Sequence, residues 1–546
     1  MKQLNAVPFL LPLMLFASGG LLGTLVACDP EQSLPWMLTL TLGIILYLGI
    51  VTFLRNRLMS VAAGIGAWSI SYGVLLAVQY RHLGFHEKLG LSAWLGRLTS
   101  APFPDVTPVF IDANAAASFL APALPLIVGI ALSVHGAQRK AWSVGAALVA
   151  FGVLLTSSRG AFVALIAAGI LWGLVRFQQY AQDSDARIPR SIWRSLVVAG
   201  AAGIGLIALL VNLPATQDAL ASAALRAADR LAVYRNSFFL ALDFPFSGIG
   251  PGAFGPMYSR FQLLILPTFI SYAHNLFLGV WLAQGIVGLI GFAWLLIASF
   301  RRTAPILHAQ TPLVQGAAIG CVVLLIHGLS DAPQYDTSWT TMLLAFGLFS
   351  IVAAAPHQPV DIPARAARRP NPHRRRQVGI TIAAVALVLI VSGPHLAAAG
   401  AVNYAAWLQS RAMLADELTQ KERTTLMHDA VTWINYGLQI APASPLVQKR
   451  LGMLALDLGD YPRAINALER AQTWFAADQA THKALGMAYV WHGEPDRGAR
   501  MLAHLDQASE VREELAIWVY AWRERGRDDL AAYAKRAAEV MTEAPR

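Results

Sequence analysis

The chain is 546 residues long and 56% hydrophobic, and only 14% of it is charged, whereas an ordinary soluble domain carries roughly a quarter charged residues. Together with a mean hydropathy of +0.50, this excludes a water-soluble globular enzyme as a description of the whole. The charge is also uneven: residues 1–400 hold 25 Lys+Arg and 13 Asp+Glu, residues 401–546 hold 17 and 19, so the net +10 belongs to an apolar part that precedes a slightly acidic tail.

A bilayer core of about 30 Å takes about 20 mostly apolar residues per helix. Eleven segments fit: 7–27, 35–54, 59–78, 115–134, 141–157, 160–176, 195–213, 276–299, 312–330, 338–355 and 378–399. The segments on either side of Arg159 read as two short spans, because an arginine inside hydrocarbon is costly. The basic loops set the orientation. Lys2, Arg55, Arg57, Arg139, Lys140, Arg176, Arg187, Arg190, Arg194, Arg301, Arg302 and the run from Arg365 to Arg376 all fall on one side and make up 17 of the 25 basic residues before position 401. Positive loops stay in the cytoplasm, so the N-terminus is expected inside and residues from 400 onward outside. The outer loops are then 79–114, 214–274 and 331–337.

The sequence Leu25-Val26-Ala27-Cys28 resembles a lipoprotein cleavage box, but the plainer reading is the end of a first transmembrane helix. With Cys321 inside the ninth span, a pairing with Cys28 is not expected and no metal cluster is spelled. Residues 356–377 are Pro- and Arg-rich and read as a cytoplasmic topology determinant.

Beyond the last span the chain repeats itself. Leu451-Gly452 recurs as Leu485-Gly486, and Ala430 recurs as Ala464, both at a spacing of 34. Small residues at fixed offsets let paired helices pack closely, the mechanical basis of tetratricopeptide repeats, which the tail resembles. Such stacks are binding or spacing scaffolds. The fold expected is therefore all-α: a polytopic bundle over 1–355 with a large outer loop 214–274, a basic linker 356–377, a last transmembrane helix 378–399, and an extracytoplasmic tetratricopeptide-like domain 400–546. No basic, aromatic-studded soluble module appears, so nucleic acid is not an expected partner.

The chemistry-bearing residues gather on the outer side. Segment 229–290 runs through Arg230, Asp243 and Pro245, turns at Gly248-Ile249-Gly250-Pro251-Gly252, and reaches His274-Asn275 at the mouth of the eighth span. No Lys-Ser/Thr follows the glycines, so a phosphate loop is not supported. Arginines on the outer side run against the positive-inside bias, which singles out Arg159 and Arg230.

These residues carry a family resemblance. The Arg230-Leu231 start with Tyr234, the Pro-x-x-Gly-x-Gly-x-Gly-x-Phe turn from Pro245 to Phe254 and the His274-Asn275-Leu276 helix mouth resemble the O-antigen ligase/polymerase superfamily. Ser158-Arg159-Gly160-Ala161, Asn114 followed by residues 118–126, and His327-Gly328-Leu329 with Asp331 extend the likeness over roughly 35–355. The resemblance implies a GT-C-like membrane enzyme that transfers a glycan from a polyprenyl diphosphate to an acceptor hydroxyl outside the cytoplasmic membrane, with neither nucleotide sugar, metal nor cofactor. It leaves open whether the acceptor is a lipid, a protein or a growing polymer.

Planar Arg forks suit a multiply charged diphosphate. Arg159 and Arg230 are the expected diphosphate ligands and charge stabilisers, with Arg235, Asn275 and His327 as further substrate-binding candidates. His274 is the expected general base. Blander readings stand beside these. Arg159 fits a snorkelling helix-end arginine, Arg230 competes with Arg226, Arg235 and Arg260 as loop charge, and His274 fits an interfacial histidine satisfied by backbone. His327 near Asp331 fits an acid–base pair or a structural hydrogen bond. The short outer connection between the first two spans offers only Asp29 and Glu31, which weakens a metal-dependent alternative. A transporter would place ionisable groups at the bilayer midplane, and a passive anchor for the tail would need one span. The expected partners are the lipid-linked donor, the acceptor, membrane lipid and a protein that binds the tail.

Overall fold

The computed structural model describes residues 7–83, 90–104, 111–183, 214–265, 270–332, 339–355 and 372–543, and among these every regular element is a helix. In chain order they are α1 (Leu10–Val26), α2 (Pro30–Phe53), α3 (Leu58–Gln79), α4 (Gly90–Ser100), α5 (Ala113–Ser133), α6 (Gly136–Thr156), α7 (Arg159–Asp183), α8 (Pro214–Asp243), α9 (Phe254–Tyr258), α10 (Leu276–Thr303), α11 (Pro312–Gly328) and α12 (Trp339–Ala354). The tail follows as α13 (Pro372–Leu414), α14 (Gln420–Ile440), α15 (Pro445–Asp457), α16 (Tyr461–Gln472), α17 (Gln479–His492), α18 (Pro495–Leu502), α19 (Ala508–Glu524) and α20 (Asp528–Glu543).

Five helices among the described residues are long and apolar enough to cross a membrane: α2, Arg55–Gln79 (which contains α3), α5, α6 and α10. Four shorter apolar helices, α1, Arg159–Val175 at the start of α7, α11 and α12, coincide with further expected spans. The expected span 195–213 lies outside the described residues, and 378–399 falls within α13. The full count of eleven therefore stays an expectation.

The bundle is built around α5. Its apolar window is 83% buried, against 28% for α2 and for Arg55–Gln79, so α5 is the central helix and the other two present most of their apolar surface outward. Glycines make its contact with α11 close: a Cβ on Gly316 would lie 2.4 Å from the Pro125 carbonyl oxygen, and one on Gly320 2.5 Å from that of Pro122. Helix α1 meets α10 the same way: a Cβ on Gly19 would lie 2.5 Å from the Gly288 backbone. Without a hydrophobic drive between helices in lipid, close backbone approach through small residues is what holds such pairs.

In the tail, α15/α16 and α17/α18 are successive helix pairs that begin at Pro445 and Gln479, 34 residues apart. Equivalent glycines sit under equivalent leucines: a Cβ on Gly452 would meet the Leu468 side chain at 2.4 Å, and one on Gly486 the Leu502 side chain at 2.7 Å. Helix α14 opens with a capping box between Thr419 and Glu422.

The tail is seated on the segment that follows α8. The Asn403 amide oxygen accepts from the backbone N–H groups of Phe246 (3.0 Å) and Ser247 (3.3 Å), Arg260 pairs with Asp457 at 2.5 Å, and the Lys483 ammonium donates to the Leu263 carbonyl at 2.7 Å. The tail and the His274 end of the bundle thus lie on the same side.

Candidate active site at the mouth of the bundle

Four helix ends meet at one end of the bundle: the N-terminal ends of α5, α7 and α10 and the C-terminal end of α11. Each is shaped by local sequence. Asp112 caps α5 by accepting from the N–H groups of Asn114 and Ala115, both at 2.9 Å. Asn275 caps α10 by accepting from Phe277 (3.0 Å) and Leu278 (3.1 Å), while its own amide donates to the Leu329 carbonyl at 3.3 Å. Side-chain caps of this kind satisfy N–H groups that the helix leaves orphaned.

Small residues let the ends converge. A Cβ on Gly160 would lie 2.5 Å from the Ser330 hydroxyl oxygen and 3.4 Å from the His327 ring. One on Gly328 would lie 2.9 Å from the Leu276 side chain. The glycines of Ser-Arg-Gly and His-Gly-Leu are therefore the contact points between α7, α10 and α11.

His274 stands at the centre. Its Nδ1 is 3.3 Å from Asp331 Oδ1, with the imidazole side chain 26% exposed and the carboxylate 3%. A carboxylate can only accept, so Nδ1 carries the hydrogen and Nε2 is left as the basic nitrogen. Burial alone would push Asp331 up, but the hydrogen bond from His274, electrostatic attraction to the His274 and His327 imidazoles and a hydrogen bond from Tyr272 outweigh it and hold the carboxyl below its usual value. The Tyr272 ring lies against the imidazole, centroids 4.2 Å apart.

The His274 backbone adopts a φ of 52°, the left-handed region, as does Ser157 at 54°. Non-glycine residues hold such conformations only where their surroundings fix them. At His274 the fixing group is Tyr234, whose hydroxyl lies 3.0 Å from the carbonyl oxygens of both His274 and Leu329 and shares its hydrogen between them. Burial raises the Tyr234 phenol, with Arg230 opposing and Asp331 adding to the shift, so it stays a donor.

His327 is 2% exposed. Its Nδ1 is 3.2 Å from the Ser118 hydroxyl and its Nε2 3.4 Å from that of Ser158, so both nitrogens are occupied inside the protein. Asp331 lies four residues beyond His327, but α11 ends at Gly328, and the carboxylate turns to His274 instead.

Arg159, the first residue of α7, is exposed beside Ser158. Arg230 sits one helical turn before Tyr234 on α8, and its charge acts on Tyr234 and His327. Neither arginine forms an ion pair with a carboxylate among the described residues. Arg235 follows Tyr234 and is turned about 100° round the helix from it; it pairs with Asp506 of the tail at 2.6 Å. The structure thus gathers His274, Asn275, His327, Arg159 and Arg230 at one mouth and carries Arg235 to the tail. Among the described residues, no three His, Cys, Asp or Glu side chains are grouped as metal ligands would be.

The glycine turn lies behind His274. Helix α10 is broken at Gly285, with φ 64° and ψ −170°. The break is bridged by the turn: Ile249 N–H donates to the Leu282 carbonyl at 2.6 Å and Ile286 N–H to that of Pro245 at 3.0 Å. Gly248, Gly250 and Gly252 all have positive φ. The spacing of the turn is thus explained as a support that locks the first turns of α10, and with them His274, onto α8.

Residues 144–293 match the family model for O-antigen ligase. Over this segment the chain is similar to O-antigen ligase, which supports the resemblance to that superfamily. No curated protein matches it at a significant level. The O-antigen ligase segment includes Arg159, Arg230, His274 and Gly285, whereas Ser118, His327 and Asp331 lie outside it and are joined to it by geometry. Reading the sequence missed the roles of Tyr234, Ser118 and Ser158 and the pairing of Asp331 with His274. For Tyr234 a signal was present, its place one turn after Arg230 on the same helix.

Proposed function

We propose that this O-antigen ligase-like chain transfers a glycan from a polyprenyl diphosphate to an acceptor hydroxyl, with His274 as the base. The observation that carries the reading is the His274–Asp331 pair: a partly exposed imidazole whose Nδ1 is tied to a buried carboxylate, which leaves Nε2 as the nitrogen that can take a proton. Arg159 and Arg230, which pair with no carboxylate among the described residues, supply the charge that an anionic leaving group requires.

In the reaction proposed, His274 Nε2 takes the proton of the acceptor hydroxyl as its oxygen attacks the anomeric carbon. The bond from that carbon to the diphosphate oxygen breaks, and polyprenyl diphosphate leaves with the electron pair. Attack opposite the leaving group inverts the anomeric centre. Asp331 stabilises the imidazolium until the proton is released to water, and Arg159 and Arg230 neutralise the charge gathering on the diphosphate. The step needs neither nucleotide sugar nor metal ion.

The mouth is read as facing the outer side of the cytoplasmic membrane, following the basic loops, and the tail as a tetratricopeptide-like stack, supported by its helix pairs at a spacing of 34. A ligase that hands over a finished glycan is the favoured form. His274→Ala is expected to abolish transfer from a lipid-linked donor while inserting and purifying as the parent does. Full activity of that variant contradicts the assignment.

A further inference from the structure

We infer that the tail is a working part of the site: a buried charge cluster between tail and bundle holds α8, and through Tyr234 on α8 it sets the position of His274. This rests on the reading of His274 given above.

Asp243, the last residue of α8, is the bundle's member of the cluster. Its Oδ2 takes Lys449 and Arg450 of α15, each at 3.1 Å, and Lys449 also reaches Asp478 at 2.8 Å. These side chains are at most 2% exposed. Two cations face two carboxylates, so the cluster is balanced. Aromatic rings enclose it from both partners: Lys449 lies over Phe239 and Phe475 at 5.9 and 5.2 Å, and Arg450 over Phe244 and Phe261 at 5.6 and 5.2 Å. A stack that served only to recruit partners could hang from its transmembrane helix. Instead it buries a lysine and an arginine against the bundle.

The cluster leads to the site along one helix. Tyr234 lies nine residues before Asp243 on α8, roughly 13 Å at 1.5 Å per residue, and its hydroxyl holds the carbonyls of His274 and Leu329. Between them, Arg235 ties the same helix to Asp506. Just beyond Asp243, Asn403 caps the Phe246–Ser247 backbone that leads into the bridge at Gly285. A helix pinned at its end by the tail therefore presents, about two and a half turns back, the group that fixes the strained backbone of His274.

The test uses the full chain in lipid nanodiscs with a lipid-linked glycan donor. Lys449→Met leaves Asp243 and Asp478 short of a cation, and Asn403→Ala removes an uncharged tie and tests the same link if the first variant folds poorly. Both are expected to lower kcat, Lys449→Met by about tenfold, with KM for the donor unchanged. Amide exchange is expected to quicken over 230–243 and 274–279 while 479–502 stays protected, and Lys449→Arg is expected to restore both readouts. Faster exchange over 230–243 with wild-type kcat overturns the inference, as does unchanged exchange in both variants. His274→Ala, measured alongside, separates the two claims: if it remains active, the reading of the site fails first.

Discussion

Tyr234 holds two carbonyls with one hydroxyl, and His274 keeps a left-handed backbone between that hold and the cap at Asn275. Tyr234→Phe preserves the ring and removes only the shared hydrogen bond, a loss of about 1 kcal/mol. Transfer by this variant is expected to fall about fivefold to tenfold in kcat, with donor KM unchanged, in single-turnover and steady-state assays. An unchanged kcat would mean that the His274 backbone does not depend on this contact. Much of this scale was legible in the sequence. An arginine expected on the outer side of a membrane stands out against the positive-inside bias, and His274-Asn275 opens an apolar run as a capped helix would. The partner of His274 was not legible. Asp331 is four residues from His327, a helical neighbour on paper, and only the end of α11 at Gly328 turns it the other way. Serines such as Ser118 and Ser158 are common in apolar helices, and nothing in their spacing marks them as partners of His327.

At the scale of elements, the break at Gly285 decides how the glycine turn meets the bundle. A Cβ there would lie 2.0 Å from the Phe246 carbonyl oxygen, and φ is 64°. Gly285→Ala is expected to cost roughly 1–3 kcal/mol through the backbone alone, more with the contact, read as earlier thermal unfolding in detergent and as reduced transfer. Gly64→Ala is the control, since nothing lies within 4 Å of its Cβ position. The turn was visible in the sequence because alternate glycines are hard to explain otherwise. The break was not, because Gly285 sits in an apolar run, interrupted only by Gln284, in which hydropathy reads one continuous helix. The helix pairs of the tail were legible for the opposite reason: their packing repeats, so Gly452 and Gly486 announce the same contact twice.

For the whole molecule, composition separates a membrane part from a tail, but it does not say that the two are locked together. That lock depends on Lys449 and Arg450, which look like surface charge in a charged domain and lie buried against Asp243, 206 residues away from Lys449. The charged tail and the apolar bundle thus share one face, with the site mouth beside their junction. On the proposed reading, this mouth transfers a glycan from a polyprenyl diphosphate. The most direct measurement is reconstitution of the purified full chain in vesicles with a polyprenyl-diphosphate-linked glycan and a hydroxyl acceptor, following both products. Glycan is expected on the acceptor with inverted anomeric configuration, with one polyprenyl diphosphate released per transfer, no requirement for a nucleotide sugar, and loss of both products in His274→Ala. Transfer that proceeds only with a nucleotide sugar, or without release of polyprenyl diphosphate, would overturn the proposed reaction.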